Sequence, residues 1–247
     1  MWRVIADYHT HSKYSGGKGT IRDNAAAAKE KGLETLGIAD HGPANWGHMR
    51  FTKLEAFERI IQETKQAAEE FSGLKILSGT EADVVSYEGD LDIPVTLQRK
   101  LDQVLAGFHI TVVPNSWTDG LKFLSGRVIG RWSSKMTEKI RNENTKAMVT
   151  AVYKNEIDII THPGLHINID TDELARACAK RDTALEINAK HGSQSIEFIH
   201  TAAKHGVKFA IGSDAHSPDK VGRLAPGVRA AQRAGLKAAQ IINVRED

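Results

Sequence analysis

What most constrains this chain is an alternation repeated seven times. Short apolar runs at residues 4–6, 35–39, 74–78, 101–106, 157–161, 184–187 and 207–211 are separated by polar turns and helical stretches. Apolar runs of this length bounded by turn residues read as buried strands. The spacing predicts helices over 21–32, from a capping box at 52–55 to about Phe71, over about 136–155, from Asp170 onward, over 193–206 and over about 226–235. Residues 84–94 read as an excursion with a turn at 88–90, 111–134 as the least regular part, and 241–244 as a short closing segment. Strands alternating with helices argue an α/β fold with a parallel sheet and helical crossovers. Seven such units within 247 residues argue a closed or nearly closed barrel, in which loops at the C-terminal ends of strands carry function.

The remaining composition excludes more than it selects. No apolar run is long enough to span a membrane, and no secretory apolar region precedes the first strand. A single cysteine, Cys178, cannot build an intramolecular disulfide and fits a cytoplasmic setting; within the predicted helix it reads as a buried apolar-like residue. A net charge of +2 is too mild for bulk nucleic-acid binding.

The functional signal lies just past the strand ends. His9 and His11 come after the first, at a spacing that puts both imidazoles on one face of an extended segment. His41 comes after the second, Glu81 after the third, His109 after the fourth and His162 after the fifth, and Asp214 and His216 come after the seventh. Parallel strands bring these ends to one rim. Imidazole and carboxylate are ligands for zinc and similar ions. Six histidines and two acids exceed the roughly four ligands of one zinc site, so the count implies about two or three ions with a bridging carboxylate. Asp7 and Asp40 precede ligand positions and read either as acceptors that orient imidazole N–H groups or as surface or capping carboxylates. His48, His166, His191, His200 and His205 fall in loops or helices; His48 and His166 read as ordinary loop histidines. Asn188, and less directly His191, could reach the rim from the sixth strand.

The motifs Asp7-Tyr8-His9-Thr10-His11, Ala39-Asp40-His41-Gly42-Pro43, Gly79-Thr80-Glu81-Ala82-Asp83, Gly107-Phe108-His109, Thr161-His162-Pro163-Gly164 and Gly212-Ser213-Asp214-Ala215-His216 occur in the order of the PHP (polymerase and histidinol phosphatase) family. The chain resembles the stand-alone bacterial PHP phosphatases, whose domain also resembles the C-terminal PHP module of family X DNA polymerases. The resemblance covers nearly the whole chain and implies one PHP domain over 1–247, a distorted (β/α)7 barrel, and two to three divalent ions, usually zinc, sometimes manganese or iron. It implies that His9, His11, Glu81 and Asp214 hold one ion. Glu81, His109 and His162 would hold a second, and His41 and His216 a third. One departure stands out. Close relatives carry a further histidine in the loop after the first motif, where this chain reads Ser15-Gly16-Gly17-Lys18-Gly19. That leaves the third ion with two protein ligands. Gly16–Gly19 reads as a flexible loop in preference to a phosphate cradle.

No Gly-x-Ser-x-Gly elbow and no Cys–His pair points to a protein nucleophile. Clustered ions generate hydroxide at neutral pH and neutralise charge on a transferring phosphoryl group. The expectation is therefore a metal-dependent phosphoric ester hydrolase acting on a small phosphorylated substrate, a histidinol-phosphatase-like phosphomonoester, through a metal-bound hydroxide. Glu81, Asp214, His41 and His216 would carry turnover. The alternatives are a nuclease or nucleotide phosphatase and a non-catalytic metal-bound module; nucleic acid is the less favoured partner and a membrane is not expected. The basic stretch 121–141, with Lys122, Arg127, Arg131, Lys135, Lys139 and Arg141 and flanked by Trp117 and Trp132, reads as a solvated helix face before it reads as a phosphate grip. Lys18 and Arg22 are weaker candidates of the same kind.

Overall fold

A computed structural model describes residues 1–45, 52–109, 112–113, 134–165, 167–191 and 196–246. His48, His166, Trp117, Trp132 and most of the basic stretch lie outside the described residues.

The elements, in order, are β1 (Trp2–Val4), β2 (Ala6–Thr10), α1 (Ile21–Glu30), β3 (Thr35–Ile38), β4 (Asp40–His41), α2 (Ala56–Glu70), β5 (Lys75–Leu77) and β6 (Gly79–Asp83). Next along the chain are α3 (Val95–Gln98), β7 (Gln103–Gly107), α4 (Ser134–Lys154), β8 (Ile159–Ile160), α5 (Thr171–Arg181), β9 (Ala184–Asn188), α6 (Ile196–Ala203), β10 (Phe209–Gly212), α7 (Ala225–Arg233) and β11 (Val244–Glu246). Ala39 interrupts one run between β3 and β4, and Ser78 interrupts another between β5 and β6. Each run therefore belongs to two adjoining sheets, β2-β3-β5 and β4-β6-β7-β8-β9-β10, both wholly parallel. The open edges meet where β10 ends: His11 N–H donates to the Ala215 carbonyl at 2.8 Å and Ala215 N–H to the His9 carbonyl at 3.3 Å. Seven strand positions thus close into a distorted barrel.

The helices pack outside through short apolar faces. On α1 these are Ile21, Ala25 and Ala28, at the i, i+4, i+7 spacing of one helical face. Thr20 caps α1 reciprocally with Asp23. On α5, Leu174, Ala177 and Cys178 are buried, and burial pushes the Cys178 thiol up to about 12, as fits a packing residue. A second, smaller core of Ala39, Leu105, Ile159, Ala184 and Ala210, with Tyr8 against it, links residues of different strands.

Three local expectations are corrected. The predicted first strand, 4–6, splits: β1 leaves the barrel to pair antiparallel with β11, while β2 begins at Ala6. The break coincides with Ile5, whose N–H donates to the Asn243 carbonyl. The ladders also run further than the apolar pattern suggested, so His9, His41 and Glu81 lie within strands and not past their ends. The alternation of a strand continues through polar residues when their side chains meet partners on one face. The capping box at 52–55 does not form, because α2 starts after Glu55 without a side-chain cap and Thr52 Oγ1 donates instead to the Tyr14 carbonyl. Among the described residues no helix is long and apolar enough to cross a membrane.

Candidate metal centre

All eight residues singled out at the strand ends converge around Glu81, which is buried at the middle of β6. Glu81 Oε2 lies 3.3 Å from His9 Nε2, 3.5 Å from His11 Nε2 and 3.1 Å from His41 Nδ1. Its other oxygen, Oε1, lies 3.3 Å from His109 Nε2 and 3.0 Å from His162 Nε2. Asp214 Oδ1 stands 3.6 Å from His11 Nε2 and 3.2 Å from His216 Nδ1. Ligand atoms gather into three tight sets: His9, His11 and Asp214; His41, Glu81 and His109; and His11, His41 and His216.

The hydrogen bonds behind these contacts fix which ring nitrogen faces the centre. His9 Nδ1 donates to Glu186 Oε1 at 2.7 Å, and His109 Nδ1 donates to Asp83 Oδ1 at 2.5 Å. His11 Nδ1 meets Ser15 Oγ at 3.3 Å, and that hydroxyl in turn donates to Asp40 Oδ1 at 2.6 Å. With the outer nitrogen of each neutral ring carrying the proton, Nε2 presents a lone pair inward. These lone pairs then face one another: His9 Nε2 and His11 Nε2 are 3.1 Å apart, and His109 Nε2 and His162 Nε2 are 3.2 Å apart. Among the described residues, Glu81 Oε1 is fully enclosed and meets the inner nitrogens of His109 and His162 without a well-formed hydrogen bond. Electron pairs packed this way repel unless a cation lies between them. Two nitrogens bound tetrahedrally to one zinc at its usual bond length are about 3.3 Å apart, and the observed spacings match. The donor set therefore fits divalent ions.

Without an ion the proton affinities show protons taking the place of one at part of the centre. Burial would raise Glu81, but the charges of His9, His109 and His41 hold its carboxyl well below the usual range. Asp214 is likewise held far down, against burial, by hydrogen bonds from His191 and His216. Burial would lower His9 and His109, yet the carboxylates Glu186 and Glu81 raise the first, and Asp83 and Glu81 the second. His11, buried and crowded by His216, His41 and His9, is pushed well below its ordinary value, which favours the neutral ring.

Backbone strain accompanies the site. His162 and Asp214 adopt φ values of +25° and +50°, a region that non-glycine residues rarely enter. Gly212 is required at the tip of β10, since a Cβ there would stand 2.0 Å from Glu186 Oε1.

Two carboxylates of the site, Glu186 and Asp83, escaped the sequence reading. The role foreseen for Asp7 and Asp40 falls to them. Asp7 instead accepts backbone N–H groups of His9, Ser213 and Gly222, tying β2 to the turn beyond β10. Among the described residues, Asp40 reaches an imidazole through Ser15 and also holds Ser12 by its amide and its hydroxyl. Of the two readings open for each, Asp7 takes that of a carboxylate capping backbone amides, though a buried one, and Asp40 combines the two. Asn188 does reach the rim, donating to Glu186 and Asp214, and His191 Nε2 lies 3.0 Å from Asp214 Oδ2. The loop at 12–19 offers Ser15 where a histidine was sought. It is a closed turn held by Lys13 N–H to the Gly19 carbonyl and Gly17 N–H to the Ser12 carbonyl. Of the basic stretch, the described Lys139 and Arg141 lie 3.9 Å from Glu143 and 3.7 Å from Asp170.

Similarity to known proteins agrees with this geometry. The PHP domain family model matches residues 7–191. A protein named probable phosphatase in Thermoanaerobacter sp. strain X514 is 31% identical over 251 residues, spanning 98% of this chain and 91% of the relative. Another of that name, in Acetivibrio thermocellus, is 29% identical, spanning 90% and 83%. Among solved structures, a histidinol phosphate phosphatase from Lactococcus lactis, complexed with zinc, L-histidinol and phosphate, superposes with a TM-score of 0.60 over 94% of each chain at 18% identity. On the match over 7–191 and the full-length likeness to the first relative, this chain belongs to the PHP domain family.

Proposed function

We propose that residues 1–247 form one PHP domain that hydrolyses a small phosphomonoester with the help of divalent metal ions, in the cytoplasm. The chain is a phosphoric ester hydrolase, in keeping with relatives named phosphatases that share nearly its full length. The single observation that carries metal dependence is the convergence of five imidazoles on the buried carboxylate of Glu81. The ions would be held by His9, His11, His41, Glu81, His109, His162, Asp214 and His216, with zinc the first candidate and two to three ions the expected load. Zinc and a phosphate in the Lactococcus lactis phosphatase support that choice.

Bound ions of this kind lower the pKa of water and offset charge on a phosphoryl group and its leaving oxygen. The chain's own residues prepare for that chemistry. Glu186 holds the proton of His9 at Nδ1 and also accepts the backbone N–H of His162 at 2.7 Å, so one carboxylate orients two donors. Asp83 does the same for His109. Lys190 and His191 stand partly exposed beside Asp214, so the lysine ammonium lies at the edge of the site, where it suits a phosphate dianion.

Chelator-stripped protein reloaded with zinc or manganese, assayed on p-nitrophenyl phosphate, tests the reading. Activity should return with metal, and Glu81→Ala and Asp214→Ala should lose both ions and turnover. Full activity in either variant would sink it.

A further inference from the structure

The opening of the site holds a cation that belongs to the chain itself. Lys190 lies just beyond the end of β9, with Nζ 3.0 Å from Asp214 Oδ1 and 3.3 Å from His216 Nδ1. Its backbone is anchored, since the amides of Lys190 and His191 both donate to Asn188 Oδ1 at 3.0 Å. Asn188 in turn donates through Nδ2 to Glu186 and Asp214. The strand end that supplies Glu186 therefore also delivers the ammonium. Lysine carries a positive charge and three donors but no lone pair, so it cannot act as a ligand in this form. It competes with an ion for the Asp214 oxygen that also faces His11 and His216.

His216 reinforces the conflict. Its Nδ1 lies 3.1 Å from the Asp214 carbonyl oxygen and 3.2 Å from Asp214 Oδ1, which can only accept, and 3.3 Å from Lys190 Nζ, which can only donate. In the neutral ring, donation to the carbonyl leaves Nε2 with its lone pair. Acceptance from Lys190 puts the ring proton on Nε2 instead. Only the first tautomer suits an ion beside His11 and His41. On this same side the loop at 12–19 supplies the Ser15 hydroxyl and no imidazole.

We infer that Lys190 is a built-in cation that stands in for one divalent ion on the Asp214–His216 side of the centre. The protein then holds its ions firmly around Glu81 and weakly or not at all at His11, His41 and His216. The inference rests on the metal-dependent reading above and goes beyond it, because it assigns part of the centre's positive charge to the polypeptide. One charge in place of two also leaves an N–H donor group at the entrance where an anionic substrate arrives.

The test is zinc binding, not turnover. Stripped wild type, Lys190→Met and Lys190→Arg are titrated with zinc by calorimetry, and the ions retained after gel filtration are counted by elemental analysis. Lys190→Met should take up one further ion, or bind its weakest ion about tenfold more tightly, because a nearby positive charge is gone. Lys190→Arg should behave as the wild type does. Equal stoichiometry and affinity in wild type and Lys190→Met would overturn the inference while leaving the metal centre standing, as would an arginine variant that behaves like the methionine one. If Lys190→Met misfolds by circular dichroism, Lys190→Gln replaces it with the same expectations. A wild type that takes up no zinc, and is unchanged by Glu81→Ala, overturns the metal-dependent reading and the inference together.

Discussion

The donor cluster has two sides built on different kinds of backbone. On the Glu81 side, His9 and Glu81 stand on β2 and β6, Glu186 on β9 braces His9, and Asp83 on β6 braces His109. On the Asp214 side, Asp214, His216, Lys190 and His191 all come from turns after β10 and β9, whereas on the Glu81 side only His109 and His162 follow strand ends. At the heart of the first side Glu81 and His9 are each 1% exposed, whereas Lys190 and His191, which flank the buried Asp214, are about one-third exposed. Strand-borne donors braced by carboxylates are fixed before an ion arrives and lose little freedom on binding it. Turn-borne donors with alternative partners must give something up. The Glu81 side should therefore set how tightly metal is held, and the Asp214 side how readily ion and substrate exchange.

The largest test of that contrast is Glu81→Ala. It removes a carboxylate within 3.5 Å of five imidazoles, so every ion should be lost and phosphatase turnover should fall about 10³-fold. Elemental analysis beside the assay reads both. Next come Glu186→Gln and Asp83→Asn, which leave all eight donors in place but weaken their orientation. Each should cost about 10–100-fold in zinc affinity by competition with a chromogenic chelator. If they cost nothing, the braced side is no stiffer than the other and the contrast fails.

Metal removal exposes a pH dependence with a definite sign. In the stripped protein His9 and His109 titrate well above the usual histidine value because carboxylates face them. A folded pKa above the unfolded one gives stability that is complete below about pH 6.5 and is lost as pH rises through the folded value. Stripped protein should therefore melt at lower temperature as pH climbs above neutrality. Zinc, which displaces those protons, should gain affinity over the same range. Differential scanning calorimetry with and without zinc checks the pair of slopes, and parallel slopes would contradict the assignment.

How much of this was legible beforehand divides along the same line. The seven apolar runs and the candidate ligand residues beyond their apolar parts were readable because polarity begins there. Barrel closure was only inferable, since the contact that makes it, Thr10 with Ala215, pairs residues at opposite ends of the ring. Glu186 was hidden because an acid inside the run Ala184–Asn188 resembles a solvent-facing strand position. The usable signal was period two: Glu186 shares a face with Ala184 and Asn188, and Asp83 shares one with Glu81. Asp7 and Asp40 misled for a related reason. Asp40, adjacent to His41, occupies the neighbouring strand position, which points the other way, whereas Asp7 shares the face of His9 but is taken up by the backbone amides of Ser213 and Gly222.

The smallest effects belong to the turn at 12–19, where two substitutions separate backbone from side chain. A Cβ at Gly17 would stand 2.5 Å from the His11 carbonyl oxygen and 2.6 Å from that of Ser12. Gly17→Ala must push the turn off the strand end, at a cost of about 1–3 kcal/mol in urea denaturation. Ser15→Ala keeps the backbone and deletes one hydroxyl. Asp40, which burial raises, loses its donor at 2.6 Å but keeps both bonds from Ser12. His11 loses the partner of Nδ1, yet burial and three neighbouring imidazoles still favour its neutral ring. The expected loss is about 1–2 kcal/mol of stability, the worth of the two hydrogen bonds that Ser15 makes. Zinc affinity should fall by less than the Glu186→Gln variant loses, because a hydroxyl braces an imidazole through a weaker dipole than a carboxylate does. A fall as large as that of Glu186→Gln would show that Ser15 and Asp40 together hold His11 as firmly as Glu186 holds His9, and the two sides of the centre would then differ in exposure alone.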